Sequence, residues 1–178
     1  MREPKVRIVK NEGPRHGQVW NVNNGLRECR GEWVKPFFDD DRMHPDCLEK
    51  MMAVATRHAK VVMVGCRAEQ WRSGEHVGDE KNYTRHPVEI IRQEDCRRAI
   101  FLFDRWNGRT PQHMLIRRSA IEAGAVMPED DKYKVPVDWI WFSRILDHGD
   151  YAMMSDVLVE QHEGETRSVT SGARADEF

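Results

Sequence analysis

The stretch from Gly31 to Asp46, GEWVKPFFDDDRMHPD, constrains the fold more than any other part of the chain. An apolar run leads directly into three consecutive aspartates, and four residues later Pro45 suits the first turn of a helix. This pattern puts acid at the carboxyl end of a strand, the edge at which open α/β sheets hold their ligands. Three adjacent carboxylates repel one another and favour no regular structure, so a cation among them relieves a real cost. A hard divalent ion such as Mg or Mn, bound through oxygen, fits that need. A solvated acidic turn before a helix fits the same residues, because Asp is also favoured in turns and at helix starts for local reasons.

The segments on either side extend the pattern. Lys5 to Lys10 alternates as a short strand, with a turn at Asn11 to Pro14. Val19, Val22, Leu26 and Cys29 recur at helical spacing, and Gly31 stands where such a helix stops. Trp33 to Phe38 reads as a central strand, although Pro36 argues against full pairing. From Pro45 to His58, Leu48, Met51, Met52 and Ala55 form the stripe of an amphipathic helix, and Val61 to Cys66 is a fully apolar strand. The order β, α, β, α, β with short links predicts an α/β fold whose sheet is mixed and mostly parallel, with flanking helices.

Arg67 to Gln93 is polar and gets no assignment. Ile100 to Phe103 is a short apolar run, Met114 to Ile116 a strand, Ser119 to Ala123 a short helix, and Val137 opens the last helix, which Gly149 ends. Tyr151 to Met153 and Val157 to Val159 read as two closing strands. Residues 1–165 are then one domain, and 166–178 a flexible tail.

Composition excludes several classes of function. With 39% hydrophobic and 33% charged residues, no window approaches the roughly 18 apolar residues of a membrane span. The N-terminus lacks the apolar core of a signal peptide, which points to a cytoplasmic protein. Cys29, Cys47, Cys66 and Cys96 form no C-x-x-C pair, so they read as free thiols in a reducing compartment. The net charge of -2, with both signs interspersed, argues against nucleic acid as a partner.

Several short motifs, taken in order, resemble a family-two glycosyltransferase of the GT-A type. They are Asn11-x-Gly13, Asn24-Gly25, Gly31-Glu32-Trp33-Val34, Phe38-Asp39-Asp40-Asp41 with Pro45-Asp46, Asn107-Gly108, Arg117-Arg118-Ser119 and Asp138-Trp139. The resemblance runs from about Val6 to Ser171. It implies a metal-assisted, inverting transfer of a sugar from a nucleotide-diphosphate sugar donor to a hydroxyl of a saccharide or other acceptor.

In such enzymes the acidic motif holds the Mn or Mg ion that bridges the donor diphosphate. That role falls here on Asp39 and Asp41, with His162 completing the site and Asp40 beside them on the donor. The same resemblance makes Asp138 the catalytic base, where the residues alone equally allow an N-cap, and turns Arg117 and Arg118 toward the donor phosphates or acceptor. Glu160 stands where the family often has an arginine. His44 reads first as a cap or packing residue.

Such enzymes begin with further strands that bind the nucleotide base, and this chain starts after them. The expectation is therefore a GT-A-like domain lacking its first strands, prone to self-association or completed by a missing N-terminal segment. A non-catalytic remnant or partner-binding subunit with the same fold is the alternative.

Overall fold

A computed structural model describes residues 6–10, 17–102, 106–129 and 137–163. Asn11, Gly13 and the expected tail at 166–178 lie outside these residues. In chain order the elements are α1 (Gln18–Glu28), β1 (Trp33–Val34), β2 (Arg42–Met43), α2 (Cys47–Arg57), β3 (Val61–Arg72), β4 (Glu75–Asp79) and β5 (Val88–Ile91). There follow α3 (Gln93–Arg97), a π turn at Arg98–Leu102, a 3-10 turn at Pro111–His113, β6 (Met114–Arg117), α4 (Arg118–Glu122), α5 (Val137–Ile145) and β7 (Asp150–Glu163).

Two long neighbours, β3 and β7, form the spine of a single sheet in the order β1-β6-β3-β7-β2, with β4 added to β3 and β5 to β7. They run parallel, with Gly65 opposite Met153 and Trp71 opposite His162, and register shifts curl the ladder. Each is flanked twice along its length. The first half of β3 pairs with β6 and its second half with β4, while β7 pairs first with β5 and then with β2.

Apolar side chains cover both faces. On one, Leu26 of α1, Ala120 and Ile121 of α4, and Trp141, Phe142 and Ile145 of α5 pack around Met63, Met114, Trp106 and Tyr151. On the other, Cys47, Met51, Val54 and Ala55 of α2 cover Val64, Cys66, Ala68, Ala152 and Val159. The result is the three-layer α/β/α arrangement that a sheet with two apolar faces requires.

The mixed α/β class and its helices stand as expected, and four details are corrected. Parallel pairing is confined to the β3 and β7 ladder; every other described pairing is antiparallel. Residues 6–10 form no strand, and Val6 and Ile8 are exposed. Only Trp33 and Val34 of the expected central strand are paired, at the sheet edge against β6, because Pro36 has no amide to donate. In α2 the buried stripe is Cys47, Met51, Val54 and Ala55, and Leu48 is exposed.

The unassigned segment after Cys66 is mostly strand, and the two expected closing strands are one continuous β7. The cysteines are free, and Cys47, Cys66 and Cys96 are buried. No described helix is long and apolar enough to cross a membrane.

Close packing fixes the middle of the spine. A Cβ at Gly65 would come within 2.7 Å of the Asn107 carbonyl oxygen and 2.9 Å of Tyr151 Cζ. The Tyr151 hydroxyl donates to that same Asn107 carbonyl, and Asn107 Nδ2 donates to the carbonyl of Met154 at 2.7 Å. The expected Asn107-Gly108 loop is thus hydrogen-bonded to β7 and packed against β3 at Gly65.

Candidate active site

Past Val34 the chain leaves β6 and crosses toward the carboxyl ends of β3 and β7. The Lys35 amine, whose pKa is lowered by burial, donates to the carbonyl of Gln112 and holds this crossing to the 3-10 turn. Asp39 and Asp40 then form an exposed turn, and β2 docks against β7 with Arg42 opposite Glu160. Asp41, half-buried, accepts a hydrogen bond at Oδ1 from the backbone amide of His162 at 2.9 Å. Burial pushes its carboxyl pKa up, and the His162 amide works against that rise.

The structure thus brings Asp41 beside His162 and keeps Asp39 and Asp40 in the adjoining turn. It does not gather Asp39, Asp41 and His162 side chains into one ligand set. The His162 ring instead stacks on Trp71 at 5.5 Å between centroids, with Nε2 3.3 Å from Glu160 Oε2. Among the described residues, the one group of three side chains with ligand atoms mutually within 4.8 Å is His44, Glu69 and Glu160.

Asp138 is the second residue of α5, inside the helix rather than capping it. Its Oδ1 is buried and has no hydrogen-bond partner among the described residues, and burial pushes the carboxyl pKa up to about 6. Trp139 beside it packs edge-on against Trp106 at 5.8 Å. Asp150, a few residues after α5, donates its amide to the carbonyl of Lys60, just before β3. The chain leaving α5 therefore reaches the amino end of the β3 and β7 ladder.

Arg117 and Arg118 serve the opposite edge. Arg117 Nη1 donates to the Ala59 carbonyl at 3.0 Å, and its guanidinium lies 4.9 Å from the Trp33 ring centroid. Arg118 Nε donates to the Gly31 carbonyl at 2.8 Å and the side chain pairs with Glu122. These contacts clamp the entry of β1 to β6 and to the end of α2. The His44, Glu69 and Glu160 group escapes a reading of the sequence because its members are brought together by pairing across β2, β3 and β7, with His44 just past the end of β2. The alternation Glu69, Trp71 and Glu160, His162 is the one local signal that points to it.

A sequence-family model described as glycosyl transferase family 2 matches residues 2–124, more than half of the chain. The chain belongs to glycosyl transferase family 2. No curated protein matches it by sequence. Among solved structures it is similar in fold to residues 1–349 of S. aureus TarS in complex with UDP-GlcNAc, with a TM-score of 0.64, 16% identity and 85% of this chain covered. The UDP complex of the same TarS segment gives a TM-score of 0.59, 16% identity and 80% coverage. This family-two chain spans 40% of the length of the first of these and 39% of the second.

Proposed function

We propose that this family-two chain takes part in glycosyl transfer from a nucleotide-diphosphate sugar to an acceptor hydroxyl, with inversion at the sugar carbon and Asp138 as the base. The supporting observation is the buried carboxyl group at the start of α5, whose Oδ1 has no hydrogen-bond partner among the described residues. An acceptor hydroxyl must lose its proton as its oxygen attacks the sugar carbon and the bond to the diphosphate breaks. A carboxylate whose pKa is raised toward 6, with no competing hydrogen bond at Oδ1, is suited to take that proton.

The donor diphosphate fits the cleft edge around Asp41. Asp41 has one oxygen held by the His162 amide, which fixes the carboxylate at the carboxyl end of the sheet. Asp39 and Asp40 lie in solvent next to it, where two more acidic groups favour a hard cation with oxygen ligands. Asp41 and Asp39 would hold a Mn or Mg ion, with His162 adjacent; such an ion supplies charge neutralisation on the leaving diphosphate. In this reading Arg117 and Arg118 position β1 and do not touch the donor.

TarS is described with UDP-GlcNAc and with UDP, and these are the first probes to use. Transfer or hydrolysis of UDP-GlcNAc with Mn present, measured for the chain and for Asp138→Asn, tests the assignment. The expected loss is about 100-fold or more, with donor affinity retained. Equal rates in the two proteins would remove Asp138 from the reaction, and donor binding without turnover by the unaltered chain would favour a binding subunit.

A further inference from the structure

We propose that His44, Glu69 and Glu160 form a separate divalent transition-metal site, of the type that takes Zn2+, on the face of β2, β3 and β7 next to the acidic turn. The claim rests on these side chains alone and does not depend on the glycosyl-transfer reading. Glu69 and Glu160 come from the neighbouring strands β3 and β7, and His44 directly follows β2. Glu69 lies opposite Glu160 in the parallel ladder, Arg42 lies opposite Glu160 in the antiparallel one, and the His44 amide donates to the Leu158 carbonyl at 3.0 Å. Paired backbones therefore fix all three positions.

The facing carboxylates pose an electrostatic problem that the described residues solve only in part. Like charges directly opposite each other on adjacent strands are destabilising. Beside them stands the His44 imidazole, with Nε2 3.6 Å from Glu69 Oε1. That is too long for a hydrogen bond, and among the described residues this buried nitrogen has no hydrogen-bond partner. Arg42, three-quarters exposed, reaches only to 3.8 Å of Glu160 Oε2.

The geometry suits an ion. Ligand atoms about 2.1 Å from a tetrahedral centre are about 3.4 Å apart. The His44 and Glu69 separation already matches, and the flexible Glu160 side chain closes the rest of a set that lies within 4.8 Å. One imidazole and two carboxylates leave a fourth position open and balance the charge of a divalent ion. An outer shell is also present. Trp71 Nε1 donates to Glu69 Oε2 at 3.0 Å, and His162 Nε2 sits 3.3 Å from Glu160 Oε2, so each carboxylate has one oxygen held and one to offer. The imidazole ligand favours Zn2+ over Mg2+ and, by the usual divalent order, over Mn2+.

The test is calorimetric titration of the chelator-stripped 178-residue chain with Zn2+, Mn2+ and Mg2+, repeated on Glu69→Gln/Glu160→Gln, on His44→Ala and on Asp39→Asn/Asp41→Asn. Zinc should bind with one-to-one stoichiometry and more tightly than manganese. The first two variants should lose more than about 100-fold in affinity, beyond the cost of an outer-shell change, and the third should keep it. X-ray absorption of the zinc-loaded unaltered chain, which needs no variant to fold, should show nitrogen and oxygen ligation with imidazole scattering. Sulfur in the ligand shell, absence of stoichiometric binding, or loss of zinc in Asp39→Asn/Asp41→Asn with retention in Glu69→Gln/Glu160→Gln would each overturn the site.

Discussion

Strand β3 changes character along its length. From Val61 to Ala68 every residue but Arg67 is buried, whereas Glu69, Gln70 and Trp71 are half-buried and Arg72 is exposed. Its parallel partner follows the same course: Tyr151 to Met154 are buried, and Glu160 to His162 are not. The amino-end half is closed by helices on both faces. The carboxyl-end half carries carboxylates, imidazoles and an indole on one face. One pair of strands thus acts as core at one end and carries the candidate site at the other. Packing density sets what the first half tolerates, and electrostatics sets what the second half tolerates.

Substitution separates the two halves most sharply at Gly65. An alanine methyl there meets the Asn107 carbonyl and the Tyr151 ring, and both belong to the fixed core. Gly65→Ala should cost about 3 kcal/mol or more, read from urea unfolding. A loss under about 1 kcal/mol would mean that the packed half yields as readily as the open one.

Asp138, at the start of the helix that lies along this core, gives an opposite sign. Its folded pKa of about 6 exceeds the ordinary 3.8, so the folded chain holds a proton more tightly than the unfolded chain between those values. Its contribution to stability is therefore fully present below the unfolded value of 3.8 and is lost as pH rises through about 6. Asp138→Asn should be more stable than the parent by roughly 3 kcal/mol at about pH 7 and equal to it near about pH 4. A difference independent of pH would assign the effect to packing instead.

In the polar half, charge removal should be mild. Without metal, Glu69→Gln relieves the repulsion from Glu160 and should shift stability by less than about 1 kcal/mol, in the stabilising direction. With zinc present the order should reverse, because an ion bound only by the folded parent stabilises it by mass action. Melting curves with and without zinc read both. The smallest effect belongs to Arg118→Ala, which removes a largely solvated pair with Glu122 and a bond to the Gly31 carbonyl. A loss of under about 1 kcal/mol is expected, with UDP-GlcNAc affinity unchanged. Weaker donor binding would return Arg118 to the site.

Several features are legible in the residues alone. The helical spacing from Val19 to Leu26, the apolar run of Val61 to Cys66 and the concentration of Asp39 to Asp41 after an apolar segment are local patterns, and local patterns follow from backbone geometry and burial. They carry the helices, one spine strand, the α/β class and the acidic turn.

What the residues do not determine is partnership. Trp33 to Phe38 is apolar enough for a central strand, yet edge or centre depends on which strand has free amides to meet it, and β6 lies far away in sequence. The pairing of β4 with β3 follows from a two-residue turn at Ser73 and Gly74, both at positive φ, whereas β2, β5 and β6 meet strands distant in sequence. The roles of Arg117 and Arg118 turn on whether carbonyls of Ala59 and Gly31 come within reach. The meeting of His44, Glu69 and Glu160 depends on register across three strands, where a shift of one residue would send each side chain to the other face. Periodicity is written in neighbours along the chain, and so the sequence determined most of the helices and the first half of β3, but not β4, β5 or the continuity of β7. Ligand geometry is written in neighbours across the sheet, which only the folded arrangement supplies.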